Sequence, residues 1–162
     1  MKRLAAKASD EDLLRAVGEW VGLLAEERYQ EAYDFLYHPW MPVLPVNELS
    51  ADAIRAAVTN YGWDEPHPSG PFKVTPVETA PPKEGSPDSP PYQDIQRYEQ
   101  PEERAFDPVL VQHGGTPTGA SILGTIHFTL PLNGQWSDLT AIIRVVLYDG
   151  AVVLYLESID VL

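Results

Sequence analysis

GASILGTIHFTLPLNGQWSDLTAIIRVVLYDGAVVLYLESIDVL, residues 119–162, is the stretch whose reading decides the fold. Two dipeptides punctuate it. Asn133-Gly134 separates residues 120–130 from residues 136–148, and Asp149-Gly150 separates that second run from residues 152–161. Both pairs predict two-residue type I′ turns, because the two central positions need φ > 0 and Asn, Asp and Gly adopt it most readily. Three consecutive antiparallel strands follow from this reading.

The turns imply a register. With Leu132 opposite Gln135, Phe128 falls opposite Leu139, Ile126 opposite Ala141 and Ile122 opposite Val145. With Tyr148 opposite Ala151, Val145 falls opposite Leu154, Ile143 opposite Leu156, Ala141 opposite Ser158 and Leu139 opposite Asp160. One face then carries Ile122, Ile126, Phe128, Ile143, Val145 and Leu154, almost wholly apolar, and must be covered. The other face mixes Leu123, Thr125, His127, Ile142, Arg144, Val146, Val153, Tyr155, Glu157, Ile159 and Val161. It is too apolar for a face meant only for water.

The chain of 162 residues is long enough for one domain with a single core, and is read as such over 1–162. It has no cysteine, which excludes disulfides and thiolate metal sites. The basic start, Met1 to Lys7, lacks the apolar segment of a secretory signal, and no apolar run is long enough for a membrane span. A cytoplasmic protein is expected. The net charge of −13 argues against nucleic acid, whose phosphates it would repel. Such a charge serves solubility and also steers a basic protein partner.

Ahead of the strands the periodicity is helical. Ser9 followed by Asp12 is a helix start, and Leu13, Val17, Trp20, Val21 and Leu24 form an apolar stripe behind it. Residues 29–37 predict a shorter helix ended by Pro39. Ser50 caps a third, with Ile54, Ala57, Val58 and Tyr61 as its stripe and Gly62 as its left-handed terminator. Residues 72–78 alternate like a short strand. Residues 79–104 are rich in Pro, Ser and acids and predict a long surface loop, interrupted by a short strand near 92–98. Residues 105–112 could supply another strand.

Three helices followed by a twisted antiparallel sheet with its longest strands last is the element order of the nuclear-transport-factor-2-like superfamily, and the chain resembles it. Glu27-Arg28-Tyr29-Gln30-Glu31-Ala32-Tyr33-Asp34-Phe35-Leu36 looks like that superfamily's short second helix, and 50–61 falls where it has its third. The segment from Asn133-Gly134-Gln135-Trp136-Ser137-Asp138-Leu139-Thr140 to Val161 is similar to bacterial families of this fold, some associated with toxin–immunity loci. The resemblance implies an α+β roll in which helices pack on a curved sheet. It also implies that activity, where present, sits in the cone between them. The superfamily includes isomerases, dehydratases, pocket binders and protein-binding members, so the fold does not choose the function.

Chemistry is sparse. Asp160, which the register aims into the cone, is the candidate pocket acid, with Tyr33 and Tyr61 lining the same cavity from the helices. A lone carboxylate without a paired base also fits a solvated strand end. His127 lies on the mixed face, away from the cone. His38, His67 and His113 fall in separate loops without metal-ligand spacing, so no metal and no cofactor is expected. On the mixed face Arg144 faces Tyr155 with Glu157 diagonal to it, and with Ile142 and His127 these five are the candidate binding residues.

The reading is a non-enzymatic binding protein. Its ligand is a protein partner, basic in character, or a second copy docked as a homodimer through the mixed face. An immunity-type protein that neutralises a cognate toxin is the concrete form. The alternative is a small-molecule binder, or a lyase or isomerase working without a cofactor in the cone.

Overall fold

The computed structural model describes residues 1–38, 49–81, 93–103 and 120–162. They form an α+β roll: three helices packed on the concave face of a curved five-stranded antiparallel sheet. The order along the chain is β1 (Leu4–Ala5), α1 (Asp10–Ala25), α2 (Tyr29–Phe35), α3 (Ala51–Thr59), β2 (Gln93–Glu103), β3 (Ser121–Leu132), β4 (Gln135–Tyr148) and β5 (Ala151–Val161). Across the sheet the strands run β1-β5-β4-β3-β2.

Local chemistry accounts for the helix ends. Ser9 caps α1 in a capping box: its hydroxyl accepts from the Asp12 N–H, and the Asp12 carboxylate accepts from the Ser9 N–H. Those bonds from Ser9 are the main reason the Asp12 carboxyl is held below its ordinary pKa. Ser50 caps α3 by accepting from the Ala53 N–H at 3.0 Å. Both α1 and α3 end in six-to-one and five-to-two bonds, Arg28 N–H to Leu23 O with Glu27 N–H to Leu24 O, and Gly62 N–H to Ala57 O with Tyr61 N–H to Val58 O. In the second motif Tyr61, φ 57°, and the expected Gly62, φ 74°, are both left-handed. Residues 29–37 are helical as far as Phe35.

The two hairpin turns form as expected, with φ of 50° and 81° at Asn133 and Gly134 and 48° and 71° at Asp149 and Gly150. The register departs from the simple one at three bulges. Between Thr129 and Pro131, residues 137–139 of β4 oppose a single residue of β3. Ser137 fills the gap: its hydroxyl donates to Leu130 O at 2.6 Å and accepts from Leu139 N–H at 3.1 Å. A shift of two preserves parity, so Phe128 faces Ala141 and Ile126 faces Ile143 without changing sides. At Leu123 the shift is one, so Ile122 stands opposite Val146 and Leu123 packs against the main core, the reverse of the expected sides. At Glu157 the shift is again one. Ser158 then faces Ile142, Ile159 faces Ala141, and Asp160 faces Thr140 rather than Leu139.

The concave face carries the main core. Leu13, Val17, Trp20 and Leu24 of α1, Ala32 and Leu36, and Ile54 and Val58 of α3 pack with Ile126, Phe128, Leu139, Ile143, Val145, Leu154 and Leu156. Trp20 is 0% exposed, and its indole N–H donates to Ala32 O at 3.2 Å. A second, smaller core lies on the convex face, where Tyr37 and Ala120 pack on Val146 and Val153 with Tyr148 and Tyr155 at the margin. The chain reaches it by rounding the edge of β5, with Tyr37 N–H donating to Leu154 O at 2.7 Å. The mixed face, too apolar for water alone, is thus covered at this end by the chain itself.

Three boundaries change. The short strand expected near 92–98 within the 79–104 loop is present and longer, as β2, which pairs with β3 from Gln93↔Phe128 to Glu103↔Ser121 with an irregularity between Arg97 and Glu102. A Cβ on Gly124 would collide with the Gln96 carbonyl oxygen, so glycine permits this close approach. The strand expected over 72–78 is a single bridge, Val74↔Leu132, followed by a 3-10 turn at Val77–Thr79. β1 was not foreseen; it pairs Leu4 with Val152. The strand expected over 105–112 lies outside the described residues.

Candidate functional site

Three rows of cross-strand neighbours span the convex face: Thr129–Thr140–Asp160, then Asp94–His127–Ile142–Ser158, then Gln96–Thr125–Arg144–Tyr155. Alternation sets these rows on β2, β3 and β4, and the bulge at Glu157 brings Ser158 and Asp160 into line with them on β5. The third row is bonded into a unit. Arg144 donates through Nη1 to Tyr98 Oη and to Thr125 Oγ1, both at 2.6 Å, and those two hydroxyls lie 2.8 Å apart. Through Nη2 it pairs with the Glu157 carboxylate at 2.8 Å.

Four strands therefore hold one guanidinium, and Glu157 is a carboxylate that pairs with it. The Arg144 side chain is 22% exposed, enough to present an edge while its stem is covered. Such an array can orient an incoming carbonyl, carboxylate or ring. It holds no nucleophile beside a base.

All five binding candidates lie on this face. Arg144 and Tyr155 are cross-strand partners, Glu157 is bonded to Arg144, and His127 and Ile142 are partners in the next row. Tyr98 and Thr125 were missed. Thr125 could have been found, since the turn-derived parity already placed it on that face. Tyr98 lay at the end of the short strand expected near 92–98, but that strand had no partner or register in the sequence, so its side could not be read.

The three cone candidates do not meet. Asp160 lies exposed on the convex face opposite Thr140, because the bulge at Glu157 turns Ile159 inward in its place. Ile159 is 8% exposed and joins the main core. Tyr33 stacks on His38 with ring centroids 3.8 Å apart, and His38 Nε2 lies 2.6 Å from Tyr33 O. Tyr61 stands near the start of β4, where its hydroxyl accepts from the Asp138 N–H at 3.2 Å. Among the described residues no Asp, Glu, His, Lys or Arg is buried, and the buried polar side chains are Thr125, Thr129 and Thr140. Nor do three or more His, Asp or Glu among them converge on a metal-sized space. No helix among them is long and apolar enough to cross a membrane.

A second constellation follows α3. Tyr61, Trp63, His67 and Phe72 pack ring to ring, with His67 edge-on to Trp63 at 4.6 Å and to Phe72 at 5.2 Å, and Tyr61 tilted on Phe72 at 5.0 Å. The backbone is fixed around them by Trp63 N–H to Asn60 O, Gly70 N–H to His67 O and Phe72 N–H to Thr59 O. Set against family models, curated protein sequences and solved structures, the chain has no significant match.

Proposed function

We propose that this protein is a non-enzymatic binding protein whose convex sheet face docks a protein partner, in the manner of an immunity protein that neutralises a cognate toxin. The observation that carries the reading is the Arg144 row. Four strands fix a half-covered guanidinium beside Tyr98, Tyr155 and Glu157, and Arg and Tyr are the residue types that most often anchor interfaces. Supporting it, the described part of the concave face is occupied by aliphatic and aromatic core side chains. The candidate acid of the cone, Asp160, lies on the other side of the sheet. The net charge of −13 favours a basic partner, which the field would draw in from solution.

The test is to express each gene neighbouring this one, alone and together with this chain. One product should arrest growth alone, and this chain should relieve the arrest. Tyr155→Glu combined with Ile142→Lys should abolish the relief while leaving the thermal transition in place. No toxic neighbour, or relief that survives both substitutions, would sink the reading. A second copy as the occupant predicts instead a dimer mass by light scattering at tens of micromolar that the same two substitutions reduce to the monomer.

A further inference from the structure

Besides the first and last residues, the large apolar side chains exposed among the described residues are Trp63, 53% exposed, and Val161, 49% exposed. The backbone next to Trp63 packs on Val161. Gly62, next to Trp63, lies with its Cβ position 3.7 Å from Val161 Cγ2 and 3.3 Å from Leu139 Cδ1. The place is held from both sides: Tyr61 receives the Asp138 N–H, and Leu162 N–H donates to Asp138 O at 3.2 Å. Trp63 thus stands on a rigid base of three rings rather than on a free loop.

The surround is acidic. The segment that carries Trp63, 61–67, contributes Asp64 and Glu65 and no Lys or Arg. Both carboxylates are exposed. A fixed, half-exposed indole followed directly in the chain by Asp64 and Glu65 matches a guanidinium or ammonium, which the ring face attracts and the carboxylates neutralise. Val161, packed on the backbone next to Trp63, matches an apolar side chain next along the same segment. From this geometry we infer that the Trp63–Val161 patch is a second docking surface, and that its occupant is a basic segment of a protein in which Arg or Lys alternates with aliphatic residues. The surface is separate from the Arg144 row and does not depend on it.

The probe is an end-blocked peptide of alternating arginine and leucine, titrated into the isotopically labelled full chain and followed by NMR at about 0.15 M salt. The Trp63 indole and the amides of residues 61–67 and 159–161 should shift together and saturate. Trp63→Ala should raise the dissociation constant at least roughly tenfold, the scale of an interface anchor. Asp64→Asn with Glu65→Gln, which keeps the rings in place, should weaken binding and flatten its salt dependence. Tyr155→Glu with Ile142→Lys should leave it unchanged. Shifts spread over carboxylates elsewhere, equal binding of a glutamate–leucine peptide, an unchanged constant in Trp63→Ala, or loss in the Tyr155/Ile142 variant would each overturn the inference.

Discussion

Trp20 is the residue on which the concave core turns. It is 0% exposed, and its one polar atom is satisfied by the Ala32 carbonyl. Trp20→Ala removes an entire ring system and leaves that carbonyl without its donor, so it should cost about 3–5 kcal/mol in denaturant titration. A loss below about 1 kcal/mol would mean the cavity collapses or the ring is not core. This residue was legible in the sequence because it sits in a helical stripe behind a Ser9/Asp12 start. Tyr61 was only half legible. Its apolar place behind α3 could be read, but its φ of 57° could not, because the glycine after it, left-handed at 74°, already accounts for the stop.

At the scale of the strand, the bulge at Glu157 decides what the end of β5 does. Turn chemistry fixes a register only near the turn, and an inserted residue farther out reverses the sides of all that follow. Hairpin signals at Asn133-Gly134 and Asp149-Gly150 therefore located the strands and the Arg144 row, yet placed Asp160 on the wrong side. β2 was legible only as a short strand near 92–98: its extension through Pro101 to Glu103 and its pairing beside Gly124 of β3 carry no turn signal that sets a register. Two single substitutions separate the bulged register from the simple one. Ile159→Ala should cost roughly 2–5 kcal/mol as a core truncation, and Asp160→Ala should stay within about 0.5 kcal/mol of the parent. The opposite ranking in the same titration would restore the unbulged pairing.

For the molecule as a whole, two phenols, half-buried Tyr29 and buried Tyr37, tie stability to alkaline pH. Burial raises the pKa of Tyr29 beside the main core and of Tyr37 in the convex one, in the second case with help from Tyr148. Their folded-state values lie above the unfolded value near 10. The stability they confer is complete below that pH and is lost as pH rises towards the folded values, because only the unfolded chain then releases the protons freely. Denaturant midpoints should fall between about pH 9 and about pH 11, and Tyr29→Phe with Tyr37→Phe should flatten that fall. An equally steep fall in the double variant would assign it to other groups. The element order has one more consequence, in time rather than in space. The helices precede the strands they cover, and α1 is complete more than a hundred residues before β5, whose Leu154 and Leu156 share its core. At about 5–20 residues per second a ribosome would hold the Leu13–Leu24 stripe without its sheet for on the order of ten seconds. Nascent chains should therefore engage holdase chaperones through α1 and be released only once the last hairpin has emerged.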